Sequence, residues 1–150
     1  MADLNEEIEI REDQAEAIAR GLYAVAKADG HIHPREAALI AGFYADATDH
    51  PADMGALERG EAIDGAHLAA ALPGRDLRQL FLKTAILLAY ADGSYGVAES
   101  KLIGQYAKDL GVGDADMRHL EIQVKEYMLS QLTHLKNTEA VAEVAKELKS

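Results

Sequence analysis

An all-α fold is what this chain predicts: a single compact bundle of seven or eight helices containing two pseudo-symmetric helical hairpins. Three observations carry that expectation. Ala and Leu are abundant, Pro occurs only 3 times and aromatic side chains make up 5% of 150 residues, a balance that favours helix over sheet. Apolar residues recur at helical spacing through several long windows. One pattern also occurs twice, sixty-three residues apart: Ala28-Asp29-Gly30-His31-Ile32-His33-Pro34-Arg35-Glu36 and Ala91-Asp92-Gly93-Ser94-Tyr95-Gly96-Val97-Ala98-Glu99. The flanks follow the same register, pairing Val25 with Leu88, Ala26 with Ala89, Leu39 with Leu102, Ile40 with Ile103 and Phe43 with Tyr106. A repeat of this kind predicts two related hairpins.

The elements follow in order. Residues 11–29 read as a long helix with Ile18, Leu22 and Val25 on one stripe, ended by Gly30 in the left-handed position common after a helix. Pro34 suits the first turn of the next helix, which runs to about Ala47 with Leu39, Ile40 and Phe43 on one face. His50-Pro51 breaks the chain. Between Ala52 and Leu72, Gly55, Gly60 and Gly65 leave one or two short joining helices, and Leu72-Pro73-Gly74 is a stop. Residues 75–92, with Leu77, Leu80, Phe81, Ala85 and Leu88, form the expected central buried helix. Its hairpin partner spans about 97–110 and ends at Gly111-Val112-Gly113. Asp114 caps a helix reaching about Leu135, with Leu120, Val124 and Met128 on one stripe. Asn137-Thr138 caps a last short helix with Val141, Val144, Ala145 and Leu148 inward. The expected organisation is one domain over 1–150: repeat halves 11–47 and 75–110, a joining segment 51–73 and C-terminal helices 114–149.

Charge and residue content narrow the function. With 26 acidic and 15 basic side chains the formal net charge is −11, which works against nucleic acid and anionic membrane and favours cationic partners, metal ions included. Cys is absent, which removes disulfides, thiolate metal sites and Cys nucleophiles. The acidic start, Met1 to Glu7, lacks the blocks of a signal peptide, and the strongest apolar run, near Ala85 to Ala91, is too short to cross a bilayer. The expectation is a cytoplasmic protein with no direct membrane insertion.

The duplicated carboxylates are the candidate site. Asp29 extends the stripe of Leu22 and Val25, and Glu36 precedes Leu39 and Ile40 by three and four residues; Asp92 and Glu99 repeat both relations. Four carboxylates are thus expected near the two inter-helix turns, aimed toward the core. Two charges about 6 Å apart repel by roughly 3 kcal/mol at an effective dielectric near 20, so convergence would raise carboxyl pKa values or recruit a cation. Oxygen-only ligands suit Ca²⁺, Mg²⁺ or Mn²⁺. Asp-Gly-x-apolar-x-x-x-Glu also equals the last eight positions of an EF-hand loop. The loop's first and third positions fall on Val25 and Lys27, and on Leu88 and Tyr90, which excludes a true EF-hand. The other reading is purely structural: each Glu is the third residue of a helix, placed to accept from the cap's backbone N–H as in half of a capping box, and to face the positive helix end. Asp before Gly suits a tight turn. Both readings stand at this point.

The paired Ala-Asp-Gly-x-apolar-x-x-x-Glu hairpins, carried by Leu22 to Tyr44 and Phe81 to Val112, resemble the TerB-like tellurite-resistance family, whose domain also opens some membrane-anchored J-domain co-chaperones. The resemblance implies a pseudo-symmetric all-α bundle with an acidic pocket for divalent cations, in a bacterial cytoplasmic protein that answers metal or oxyanion stress through protein partners. It maps Asp29, Glu36, Asp92 and Glu99 onto the acidic positions. Gly96 and Val97 depart from the polar or acidic residues often found there.

Other residues fit around this site. His31 and His33 read as exposed turn residues, with a metal-ligand role as the alternative. His50, His67, His119 and His134 lack partner spacing and read as surface or boundary residues, while Tyr90, Tyr95 and Tyr106 read as core with a polar tip. Tyr127-Met128-Leu129 and the apolar side of the last helix read as core, or else as a partner groove. No phosphate loop, Gly-x-Ser-x-Gly or His-Glu-x-x-His occurs. The functional expectation is a non-enzymatic interaction module whose acidic pocket binds a divalent cation. Alternatives are an acidic scaffold with capping carboxylates that docks a protein partner, and a metal-dependent hydrolase using the same carboxylates.

Overall fold

A computed structural model describes residues 10–90 and 96–133; among them the chain forms seven helices and no strand. They are α1 (Glu12–Ala26), α2 (Pro34–Thr48), α3 (Met54–Arg59), α4 (Gly65–Ala71), α5 (Arg75–Ala89), α6 (Val97–Asp109) and α7 (Asp114–Thr133). The joining segment therefore resolves into two short helices. The proposed last helix, and the end of α7 beyond residue 133, lie outside the described residues.

The repeat is written into the helix boundaries. α1 and α5 start and stop sixty-three residues apart, and α2 and α6 start with the same offset. Packing obeys the same rule: α1 lies on α2 and α5 on α6, α1 touches α5, and each also meets the other hairpin's second helix. Matched positions are buried alike, namely Val25 with Leu88, Ala26 with Ala89, and Ile40 with Ile103. Leu39 and Leu102 are half-buried in both copies.

The centre of the core is α5, as expected. Leu77, Phe81, Leu82, Ala85, Ile86, Leu88 and Ala89 are buried along it, and it contacts α1, α2, α6 and α7. Leu80 lies at the core's edge. Phe81 meets Tyr106 edge-on, ring centroids 5.6 Å apart. On its other side Phe81 presses against Gly21, where a Cβ would stand 2.6 Å from Cε1. Glycine at that helix position trades helix propensity for ring packing.

The turns follow their sequence signals. Gly30 has φ 92° after α1, and Gly111 has φ 74° after α6. Asp53 and Asp64 cap α3 and α4, their Oδ1 atoms accepting from the N–H groups of Ala56 and His67. Leu120 and Val124 of α7 are buried and Met128 packs at the core's edge, but Tyr127 and Leu129 are exposed. The core reading of 127–129 thus holds for Met128 alone. No helix of the described residues is long and apolar enough to cross a membrane.

Candidate functional site

Each Glu of the repeated motif sits at the third position of its helix behind an extended cap residue, His33 in one copy and Gly96 in the other. Glu36 is 0% exposed and its Oε1 accepts from the backbone N–H of His33 at 3.0 Å. Glu99 is 2% exposed and its Oε1 accepts from the N–H of Gly96 at 3.2 Å. Both side chains point inward, as the stripe predicted, and both complete half of a capping box. Gln14 makes the same bond to Arg11 at the head of α1.

Glu36 carries one feature that capping leaves unexplained. Its Oε2 is buried and has no hydrogen-bond partner among the described residues. An ionised carboxylate taken out of water is costly, by several kcal/mol per ion after relaxation, unless its remaining lone pairs are met.

The aspartates behave differently. Asp29 was expected on the inward stripe of α1, and the structure corrects this. The helix stops at Ala26, the chain turns through Lys27, and the extrapolated stripe ends before position 29. Asp29 lies in the turn, its side chain about one-third exposed, with Oδ1 accepting from the N–H of His31 at 2.9 Å. Its Oδ2 stands 3.8 Å from His33 Nε2. The turn therefore holds Asp29 near the surface and Glu36 inside. Asp92 lies outside the described residues, as does Tyr95. Among the described residues no three His, Asp or Glu converge closely enough to hold a metal ion.

His31, His50, His67 and His119 are exposed, and His134 lies outside the described residues. Two readings of missing partners are corrected: His119 Nε2 lies 3.3 Å from Gln123 Nε2, four residues on. His67 also has a partner: Nδ1 lies 2.7 Å from Asp64 Oδ1, three residues back at the head of α4. The cap bond from the His67 N–H, and next this side-chain contact, hold the Asp64 carboxyl below its usual pKa. His33 is half-buried. Of the tyrosines, Tyr106 is core with a satisfied tip: its hydroxyl donates to the carbonyl of Ile63 at 2.7 Å. Burial foremost, and next the charge of Asp64, push that phenol up to about 12.

Three features escaped the sequence reading. Arg78 of α5 donates from Nε to the carbonyl of Leu72, from Nη2 to Ala69 and from Nη1 to Leu110, closing the C-terminal ends of α4 and α6 with one cation. The second is a cleft of about 440 Å³ along α1, walled by α3 and the chain after it. The third is the extent of the repeat. Ala52-Asp53-Met54-x-x-Leu57-Glu58 recurs in register as Ala115-Asp116-Met117-x-x-Leu120-Glu121, so α3 and the start of α7 are also copies. Writing the two halves beneath each other beyond the hairpins would have revealed it.

No protein-family model matches the chain, and no curated protein or solved structure matches it either.

Proposed function

We propose that this chain is a non-enzymatic, TerB-like interaction module acting in metal or oxyanion stress, whose acidic turns hold a hard divalent cation. The observation that supports the reading is the Glu36 carboxylate. It is enclosed, one oxygen is spent on the cap of α2, and the other meets no donor among the described residues. A cation at that oxygen would relieve the cost of the buried charge, and an all-oxygen site suits Ca²⁺, Mg²⁺ or Mn²⁺. Glu99 repeats the placement in the second half. Asp29 and Asp92 are the further carboxylates of the two motifs. The reading rests on Glu36 and its turn rather than on a closed cage of ligands.

A second reading, an acidic scaffold that docks a protein partner, is favoured by the two cap bonds, which give Glu36 and Glu99 a structural task without metal. Thermal unfolding of chelator-stripped protein with and without millimolar Ca²⁺, Mg²⁺ or Mn²⁺ separates them. An ion at a hundred times its dissociation constant stabilises the folded state by about 2.7 kcal/mol. Under the cation reading one ion gives a shift of that order, and Glu36→Gln, which keeps an oxygen for the cap, loses it. If no ion moves the transition, the scaffold reading stands.

A further inference from the structure

We propose that the cleft along α1 is a docking site for an amphipathic helix of a protein partner, apolar on one face and flanked by Lys or Arg. The proposal names the partner surface of the interaction module and rests on its non-enzymatic half; the cation can fail without it.

The argument begins with the repeat. In the second half, the copy of the Asp-Met-x-x-Leu-Glu segment opens a helix of 20 residues, α7, which runs unbroken past Val124 and Met128 and packs along α5. In the first half the same segment opens only the six-residue α3, which stops at Arg59, and residues 60–64 leave helical geometry. α1, the counterpart of α5, is therefore left with a cleft of about 440 Å³ where its sister helix has α7 running on. In this register buried Leu82 of α5 matches the smaller but equally buried Ala19 of α1, and buried Ile86 matches half-buried Tyr23. Residues 128–133 of α7 match α4, which itself packs on α1, so what this flank lacks is the stretch of helix that residues 123–127 supply in the second half. The volume lies within the usual range of binding clefts, about 300–1,000 Å³.

Shape and charge narrow the occupant. Glu16, Arg20, Tyr23 and Lys27 line the cleft along α1. At helical rise they span about 16 Å, three turns of an incoming helix. Ala19, Ala24, Ala56 and Ala62 keep the walls low, so that apolar side chains can approach the backbone. Around them stand the carboxylates of Glu16, Asp53, Glu58 and Glu61 against the cations Arg20 and Lys27. Arg20 donates to the Glu61 carbonyl and Asp53 caps α3, so each sign has one member already hydrogen-bonded and four carboxylates still face two cations. A second, more open hollow of about 490 Å³ continues past Tyr23, Lys27 and Glu58 to the Gly30-His31-Ile32 turn. The negative excess at the cleft, on a chain of net charge −11, selects a cationic partner and disfavours nucleic acid. Glu58 lies at the junction of both hollows, close enough to Tyr23 that its charge adds to burial in raising that phenol's pKa.

The test uses fluorescein-labelled peptides about twelve residues long, read by fluorescence anisotropy in chelator so that metal plays no part. One carries Leu at helical spacing with Lys elsewhere; two controls replace Lys by Glu or Leu by Ser. The Lys–Leu peptide is expected to bind at least about tenfold tighter than either control. Ala56→Trp, a neutral change at an exposed position, and Glu58→Lys should each weaken it about tenfold with the melting curve unchanged; Ala62→Trp serves if Ala56→Trp disturbs folding. Three results overturn the proposal: no binding by any peptide, weakening by Glu58→Lys but by neither Trp variant, or occupation of the cleft by a second copy, seen as self-association in sedimentation that Ala56→Trp abolishes.

Discussion

The two halves of this molecule began from one plan and have been finished differently. Both carry the Ala-Asp-Gly motif in sequence, a capping Glu at the third position of the next helix, and an Ala-Asp-Met-x-x-Leu-Glu segment after it. The second half is keyed into the core. Where the first has Ala15 it has Arg78, which ties three carbonyls; where the first has half-buried Phe43 it has Tyr106, which meets Phe81 edge-on and bonds Ile63. Its third helix is long. The first half keeps Gly21 where the second has Thr84, a short third helix, and an open flank. Duplication thus left one half to supply stability and the other a surface free to vary, a division that substitutions can test.

The largest effect is expected at Arg78. Removing its guanidinium leaves the carbonyls of Ala69, Leu72 and Leu110 without their charged donor. Hydrogen bonds to charged groups contribute about 1.5–3 kcal/mol each, discounted here because the side chain is only half-buried. Arg78→Met, which keeps the apolar stem, is expected to lower the unfolding free energy by about 3 kcal/mol in urea titration. Arg78→Lys should recover less than half, since an ammonium cannot span three separated acceptors. A loss below about 1 kcal/mol would remove Arg78 as the clamp of the second half.

Next comes Gly21. A methyl group there would stand 2.6 Å from Phe81 Cε1, on a ring that is fully enclosed. Overpacking costs about 1–3 kcal/mol and the gain in helix propensity returns about 1, so Gly21→Ala is expected to destabilise by up to about 2 kcal/mol. A neutral result would mean that Phe81 can shift and that the interface between the two hairpins is looser than drawn.

Arg78 and the two motif acids of the first half mark where the sequence was and was not readable. The all-α class, the hairpins, the turn at Gly30 and the central place of α5 were legible because local signals and a repeat agreed. Glu36 and Glu99 were placed correctly because they lie inside regular helices, where spacing gives direction. Asp29 was misplaced because it lies three residues past the last helical residue, and periodicity cannot see where a helix stops. Arg78 was hidden because its acceptors are backbone carbonyls 6, 9 and 32 residues away, which carry no residue-type signature. The cleft was hidden because no motif or spacing in Glu16, Arg20, Tyr23 and Lys27 marks a groove, and only a missing neighbour turns a helix face into one.

Tyr106 distinguishes the halves by pH. Its folded pKa is raised to about 12, so the folded state holds this proton after the unfolded chain, with a phenol near 10, has lost it. The contribution is fully present below pH 10 and is lost as pH rises from about 10 to about 12. Tyr106→Phe should cost about 1–2 kcal/mol at neutral pH through the orphaned Ile63 carbonyl. It should also flatten the alkaline fall in melting temperature. If wild type and variant fall in parallel, Tyr106 is not the group that titrates.

The smallest effects should be equal in the two halves, and that equality is itself a test. Gly42 in α2 and Gly104 in α6 are exposed, interior to their helices, and have no atom within 4 Å of where a Cβ would stand. Neither has positive φ. Gly42→Ala and Gly104→Ala are each expected to stabilise by about 0.5–1 kcal/mol, from propensity and from a stiffer unfolded chain. Chemical denaturation of both variants checks this, and the double variant should be additive, since the sites share no partner. The Lys–Leu peptide supplies the last comparison. Position 42 does not line the cleft, so Gly42→Ala should leave binding unchanged while raising stability. A variant that gained stability and lost the peptide would mean that α2 must flex for the partner to enter, and the first half would then be mobile as well as open.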